Sequence, residues 1–251
     1  MLDRMTTRRA LIRDLGTGGL AVTIFALITL AANGDDAEES AAGSAKAPPG
    51  EGTAADGVTW ERVNLGFVSA YVLARRGEAA IVDTGIPGSE GDIETSLGIL
   101  GLDWSDVGTV IVTHLHNDHQ GSLPAVMNLA SGATGYAGSA DIAGITSPRK
   151  LIGVGDGDRV FDLAIIDTPG HTPGHISVLD ERGGLLVAGD ALTGKDGGVA
   201  GANPQFTADM SVAGESIKKL AGFTYGTVVL GHGEPVVGNA SQLVAELAAQ
   251  L

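Results

Sequence analysis

The chain has 251 residues, and its 30 Asp and Glu against 15 Lys and Arg give a formal charge of -15, which argues against nucleic acid or anionic lipid as a partner because both attract basic surfaces. At 43% hydrophobic and 18% charged residues the composition is globular, so disorder throughout is excluded. Cysteine is absent, which removes disulfides, catalytic thiols, iron-sulfur clusters and thiolate metal ligands together, and any metal must sit on nitrogen and oxygen.

The basic stretch Thr7 to Arg13 precedes an uncharged, largely apolar run of 17 residues from Gly16 to Ala32, the layout of an export signal. The adjacent Arg8 and Arg9 resemble a twin-arginine signal, whose pathway carries folded proteins. An uncleaved anchor is the alternative, since 17 apolar residues sit at the lower limit for crossing a bilayer. Asn33 stands where a lipoprotein signal requires cysteine, so lipid attachment is not expected. The expected location is outside the cytoplasmic membrane, in the periplasm or beyond it, or anchored at the outer face, with membrane contact only through residues 1–33.

Residues 34–56, rich in Ala, Gly, Ser and acidic side chains with Pro48-Pro49, read as a disordered linker. The four Arg and two Asp of residues 1–33 leave the segment from Gly34 onward at -17. Residues 57–251 then read as one folded domain. Strands are expected at Thr59 to Leu65, Ala70 to Ala74 and Ala79 to Asp83, followed by a helix from Ser89 to Leu100 ended by Gly101 and a buried strand at Val110 to Thr113.

A second series places strands at Ala133 to Tyr136, Val160 to Asp167, Ile176 to Asp180 and Leu185 to Ala188. It continues with a helix from Ala208 to Leu220 behind Thr207, a strand at Thr227 to Leu230 and a helix from Ala240 to Gln250. Strands lead and helices follow in both halves. The fold class expected is α/β, an αββα sandwich of two mixed β-sheets packed face to face, with helices outside and polar loops meeting at one edge.

Three of the six histidines fall within Thr113-His114-Leu115-His116-Asn117-Asp118-His119, directly after the apolar Val110-Ile111-Val112. Residues two apart in extended backbone point the same way, so His114 and His116 can meet one ion while Asp118 and His119, past the bend, face a neighbouring one. His171 and His175 lie in Asp167-Thr168-Pro169-Gly170-His171-Thr172-Pro173-Gly174-His175, His232 in Gly231-His232-Gly233, and Asp190 closes Val187-Ala188-Gly189-Asp190. A lone histidine is more often a hydrogen-bonded residue than a ligand, and a lone Gly-Asp more often a turn, so the joint pattern carries the inference.

That pattern, His-x-His-x-Asp-His followed in order by Gly-His-Thr, Gly-Asp and Gly-His, resembles the metallo-β-lactamase superfamily over nearly the whole stretch from Thr59 to Leu251. The resemblance implies a first metal on His114, His116 and His171, a second on Asp118, His119 and His232, and Asp190 bridging both. It implies for Asp83 a supporting position without metal contact, and for His175 a supporting or substrate-facing one. Asn117 is expected in the turn, and Tyr136 and Trp104 as packing residues. Phe67, at the Leu65-Gly66-Phe67-Val68 hairpin tip, is a candidate substrate contact, with simple packing on its neighbours the alternative.

Two divalent ions, with zinc expected and iron or manganese admitted by the same donors, would lower the pKa of a shared water from about 15.7 to about 7. The hydroxide so formed would attack an ester, thioester, lactone or amide carbonyl of a small molecule, with Asp118 orienting it and carrying its proton to the leaving group. Lack of cysteine excludes the β-lactamases that use a thiolate ligand. No Lys or Arg follows Lys219 to grip glutathione, and no tyrosine lies between Asp190 and Tyr225 as in acyl-homoserine lactonases. Gly194 to Pro204 is read as a flexible loop beside the site, with Lys195 more a solvated side chain than a partner for a substrate carboxylate. The alternative from another class is an oxidoreductase similar to the persulfide dioxygenases, with a single iron on similar ligands. The sequence carries no signal for oligomeric state.

Overall fold

Residues 57–251 are described by the structure, a computed structural model; the expected signal and linker lie outside the described residues. Strands β1 (Thr59–Asn64), β2 (Ser69–Arg75) and β3 (Glu78–Val82) form an antiparallel meander. The β2–β3 turn is Arg76-Gly77, both left-handed at φ 55° and 83°, whose twist matches that of the flanking strands. After β3 the chain crosses through helix α1 (Glu90–Ile99) to β4 (Val107–Val112), which runs parallel to β3. It continues through the short helices α2 (Asn117–Gln120) and α3 (Leu123–Leu129) to β5 (Thr134–Gly138) and β6 (Ile152–Val154). The first sheet has the order β1-β2-β3-β4-β5-β6.

The second sheet takes β7 (Arg159–Val160), β8 (Leu163–Asp167), β9 (Ile176–Asp180), β10 (Leu185–Val187), β13 (Thr227–Val229) and β14 (Val236–Val237), in the order β14-β13-β10-β9-β8-β7. Between β10 and β13 come the hairpin β11 (Leu192–Lys195) and β12 (Gly198–Gly201), then helix α4 (Met210–Leu220); α5 (Ala240–Ala248) closes the chain.

Two-residue periodicity divides the core. From β2, Ala70 and Val72 pack with Ile93, Leu97, Leu123 and Met127 under α1 and α3, whereas Tyr71 and Leu73 meet Ile165, Ile176 and Val187 between the sheets. Leu186, Val228 and Leu230 pack on Ile217, Leu220 and Val244 of α4 and α5. The order helix, sheet, sheet, helix is therefore the expected αββα sandwich, and a side chain such as Leu73 or Ile176, fully buried here, contributes roughly 1.5–3 kcal/mol. Tyr136 packs against the inter-sheet cluster and Trp104 against the α1 side, both as expected.

At one end the sheets are tied by a buried ion pair, Arg75 Nη2 to Asp180 Oδ1 at 2.7 Å, and Asp180 Oδ2 also accepts the Val58 N–H at 2.8 Å. At the other they are stitched by backbone. Ile176 N–H donates to Thr113 O and Ser69 N–H to Gly231 O, both at 2.9 Å.

Several sequence expectations are corrected. The strand expected over Val160 to Asp167 is two strands, because Phe161 and Asp162 both adopt left-handed backbone (φ 55° and 59°) and reverse the chain. Helix α4 starts at Met210 behind Asp209, whose Oδ1 accepts from the N–H groups of Ser211 and Val212; Thr207 is committed elsewhere. The supposed flexible stretch from Gly194 contains the β11–β12 hairpin, turning at Asp196-Gly197. Among the described residues no helix is long and apolar enough to cross a membrane.

Candidate metal centre

The histidines and aspartates singled out for the site lie at strand ends or in the short helix that follows β4, and they reach the same edge of the sandwich. His114 and His116 follow β4, His171 follows β8, Asp190 follows β10 and His232 follows β13; Asp118 and His119 lie in α2. His114 Nε2 and His171 Nε2 stand 3.0 and 2.9 Å from His116 Nδ1, close to the roughly 3.3 Å separating two nitrogens on one tetrahedral zinc. Asp190 sits between the groups. Its Oδ1 is 3.4 Å from His119 Nε2, and its Oδ2 is 3.4 Å from His171 Nε2 and 3.2 Å from His232 Nε2. Asp118 Oδ2 is 3.3 Å from His232 Nε2. The ligating atoms of His114, His116 and His171 lie within 4.8 Å of one another, as do those of Asp118, His119 and His232 and those of His114, His119 and Asp190.

The outer hydrogen bonds fix which ring nitrogen faces inward. The Thr113 hydroxyl donates to Asp83 Oδ2 at 2.8 Å, so its oxygen accepts from His114 Nδ1–H at 3.0 Å and His114 Nε2 keeps its lone pair. The Thr207 hydroxyl donates to Asn203 O, so it accepts from His171 Nδ1–H at 3.1 Å. His119 Nδ1–H donates to Asp83 Oδ2 at 2.8 Å and His232 Nδ1–H to Phe67 O at 2.6 Å. Four Nε2 lone pairs therefore converge around Asp190, and His116 Nδ1 meets two of them, those of His114 and His171. A histidine oriented through its other nitrogen in this way is typical of metal ligands.

His119 Nε2 and Asp190 Oδ1 are buried and have no hydrogen-bond partner. Two orphaned acceptors facing each other at 3.4 Å would be costly without a cation between them, so the donor set fits a metal. Without a metal the site holds protons instead. Hydrogen bonds that its ring donates to the carboxylates of Asp118 and then Asp190 raise His232 to about 10. Burial works against protonation of His119, but the charges of Asp190 and Asp83 outweigh it and its pKa is raised. Burial pushes His171 down to about 4 and His114 well below the usual histidine range. Asp118 is lowered, first by its hydrogen bond with His232. Asp190 is lowered despite its burial, because the charge of His119 and then the hydrogen bond from His232 favour the carboxylate.

Asp83 hydrogen-bonds to the cluster from behind. It is left-handed at φ 62° and accepts from Thr113 N–H (2.7 Å), Thr113 Oγ1 and His119 Nδ1. Three such bonds hold a conformation that a non-glycine residue rarely adopts. His175 is a support and does not face substrate: it is buried, its Nε2 accepts the Asp190 N–H at 2.9 Å, and its Nδ1–H donates to Thr168 Oγ1 at 2.8 Å. The Thr168 hydroxyl can pass that chain to Ser177 Oγ at 3.0 Å, and Ser177 donates to Ala188 O. Burial accordingly pushes His175 down to about 3.

Other contributors escaped the sequence reading. Asp141, fully buried, accepts from Leu115 N–H (3.1 Å), Thr172 Oγ1 (2.5 Å) and Gly174 N–H (2.7 Å), stapling the loop of His114 and His116 to that of His171. Arg62 on β1 holds the His232 loop through Gly233 O at 3.0 Å and Glu234 at 2.6 Å. Neither carried a signal, because their partners are set by tertiary contact. A cavity of about 490 Å³ opens over the centre, lined by His116, Asn117, Asp118, Asp190, Thr193, Asn203 and His232, with Phe67 and Phe206 at its edge. Asn117 opens α2 and faces this cavity; Lys195, at the exposed hairpin end, does not line it.

The sequence profile described as "Metallo-beta-lactamase superfamily" matches residues 63–232. The chain belongs to the metallo-β-lactamase superfamily. It is a metallo-hydrolase of that superfamily, with a His/Asp metal-binding site. It is 31% identical over 215 residues to the "Probable metallo-hydrolase YflN" of Bacillus subtilis, covering 68% of this chain and 81% of that one. It is 32% identical over 160 residues to a "Hydroxyacylglutathione hydrolase" of Hahella chejuensis, covering 60% of this chain and 56% of that one. Among curated relatives that it matches, the share of their length spanned runs from 42% to 81%. The crystal structure of a metallo-beta-lactamase family protein from Thermus thermophilus superposes with a TM-score of 0.63 at 26% identity, covering 77% of this chain and 79% of that one.

Proposed function

We propose that this superfamily member is a dinuclear hydrolase acting on an ester, thioester, lactone or amide-type bond of a small molecule, with Asp118 as its proton carrier. The observation that carries the reading is the convergence on Asp190 of ring nitrogens whose partners are committed to outside acceptors. His114, His116 and His171 would hold one ion, Asp118, His119 and His232 the other, and Asp190, whose oxygens face both groups, would bridge them. Zinc suits this nitrogen and oxygen set, and iron or manganese would be accepted by the same donors. Such a pair supplies the charge that lowers the pKa of water from about 15.7 to about 7 and polarises a carbonyl.

The chain's own groups do the rest. Asp118 is half-buried and its carboxylate lines the cavity, so it can take a proton from the attacking water and return it to the leaving group. His116 and Asp118 line the cavity, so a bound carbonyl reaches both groups of donors. A volume of about 490 Å³ falls in the range of small-molecule pockets. Similarity to proteins named hydroxyacylglutathione hydrolase supports a carbonyl substrate. Glutathione itself is disfavoured, because among the described residues no Lys or Arg lines the cavity to meet its carboxylates. Residues 1–33 are proposed as an export signal, which places the substrate outside the cytoplasm.

Elemental analysis run beside hydrolysis of a panel of esters, thioesters, lactones, phosphodiesters and β-lactams tests the reading. The expected result is two ions per chain with metal-dependent hydrolysis, and a loss of both metal and turnover in His116→Ala and Asp118→Ala. One iron per chain with oxygen uptake would overturn it in favour of an oxidoreductase.

A further inference from the structure

The cavity over the centre has an unusual rim. Phe67 and Phe206 are 61% and 62% exposed, they are the strongly exposed phenylalanines among the described residues, and both edge this one cavity. An exposed aromatic ring costs contact with water, and two bordering the same opening make an apolar mouth above a polar floor. Each ring is also fixed to the metal-ligating framework by its own main chain. Phe67 O accepts from His232 Nδ1–H at 2.6 Å, and the Phe67 ring stacks on the His232 ring at 6.2 Å and 18°. Phe206 N–H donates to Asn203 O at 3.1 Å, and the same carbonyl receives the hydroxyl of Thr207, the residue that accepts from His171. One ring is thus indexed to His232 and the other to His171, on the two sides of Asp190.

The charge of the lining is as informative. Asp118, Asp190 and the histidines are committed to the centre, and among the described residues no Lys or Arg lines the cavity. A substrate carboxylate or phosphate lying away from the reacting bond would therefore find no counter-ion, in a chain whose formal charge is already -15. The lining thus favours an uncharged remainder of the substrate, to which the two phenylalanines offer apolar surface.

We propose that Phe67 and Phe206 are the two jaws of an acyl-group subsite, and that the substrate is an uncharged ester, thioester or lactone whose acyl group is a hydrocarbon chain. The proposal rests on the hydrolase reading and narrows its substrate class. Phe206 is then a specificity-determining residue, with Phe67 opposite it.

The test is a series of uncharged esters from acetyl to octanoyl, with a matched series ending in a carboxylate, assayed on the metal-loaded protein. The expected result is a kcat/KM that rises two- to fourfold per added methylene, the upper value being the ~0.8 kcal/mol gained by burying one. The slope flattens in Phe206→Ala and in Phe67→Ala, returns in Phe206→Leu, and reverses when a terminal carboxylate is added. Binding of octanamide against acetamide, followed by ligand-observed NMR on metal-free protein, supplies a readout that needs no turnover. Octanamide should bind more tightly, and Phe206→Ala should abolish the difference. Hydrolysis that is metal-dependent but indifferent to chain length, or faster on the carboxylate series, overturns the subsite and leaves the hydrolase reading standing. Octanamide binding that depends on Phe206, without hydrolysis of any member, supports the subsite and overturns the hydrolase reading.

Discussion

Gly231 offers the sharpest test of whether the centre is built as described. It precedes His232, its backbone is not left-handed, and an alanine there meets no conformational obstacle. The obstacle is steric. A Cβ on Gly231 would overlap Asp190 Oδ1 and stand 2.6 Å from His119 Cε1, nearly an ångström inside the ordinary contact distance of about 3.4 Å. Both neighbours are buried and held from behind, Asp190 by His175 through its main chain and His119 by Asp83, so neither can retreat freely. Overpacking of this kind costs about 1–3 kcal/mol of stability, and misplacing a reacting group by about 1 Å costs on the order of 10²-fold in rate. Gly231→Ala should therefore fold with a lowered Tm, carry less metal by elemental analysis, and lose about two orders of magnitude in kcat/KM on the best ester of the panel. Gly108→Ala in β4, where an added Cβ meets nothing within 4 Å, is the control and should match wild type in metal content and rate. Wild-type metal content and a kcat/KM within about threefold in Gly231→Ala would mean that Asp190 and His119 do not meet at a shared ion.

Three further outcomes are expected. Arg75→Met leaves the buried Asp180 carboxylate with only the backbone N–H groups of Val58 and Gly183, which should cost about 3–5 kcal/mol in urea unfolding while sparing the metal content; a loss below about 1 kcal/mol would show that the ion pair does not hold this end. Asp141→Asn points an amide donor at groups that are all donors, so a loss of about 1–3 kcal/mol with weaker metal retention is expected, and an unmoved Tm would refute the stapling role. Removing metal with a chelator should lower Tm in proportion to the lost binding energy, about 4.1 kcal/mol when free metal stood a thousandfold above Kd; a Tm blind to both chelation and zinc readdition would count against a structural coupling between site and fold.

What the sequence revealed follows from what is local. The candidate ligands stood out because most lie within a few residues of a strand end, and the strands themselves are short apolar runs, as at Ile176–Asp180. Where backbone conformation departs from residue type, the reading failed: Phe161 and Asp162 turn the chain through left-handed backbone without glycine, so β7 and β8 looked like one strand. The hairpin at Lys195-Asp196-Gly197-Gly198 carried its Asp-Gly signal, but its strands are short and glycine-rich and gave no alternation. Helix α3 buries Leu123, Val126 and Met127 at helical spacing, yet seven residues are too few to announce a helix. Asp141 and Phe206 could not be found at all. One acts through donors contributed by distant loops, and the other shares a cavity lining with Phe67 only through the fold.

The network behind the ligands also decides when the centre can form. His232 belongs to the second sheet, but its Nδ1 acceptor is Phe67 O in the hairpin of the first. Ser69 and Gly231, next to these two, are joined by a backbone hydrogen bond across the same seam, as are Ile176 and Thr113. Asp190 follows β10 of the second sheet and faces His119, which Asp83 of the first sheet orients. No single sheet therefore holds a complete set of oriented donors, and the lone pairs converge only when the two halves dock. Ions bound there would place their energy on the inter-sheet seam, opposite the Arg75–Asp180 pair that fastens the far end. On the proposed reading the sandwich would be clamped at both ends by charge, at one end by a pair carried in the chain and at the other by bound metal.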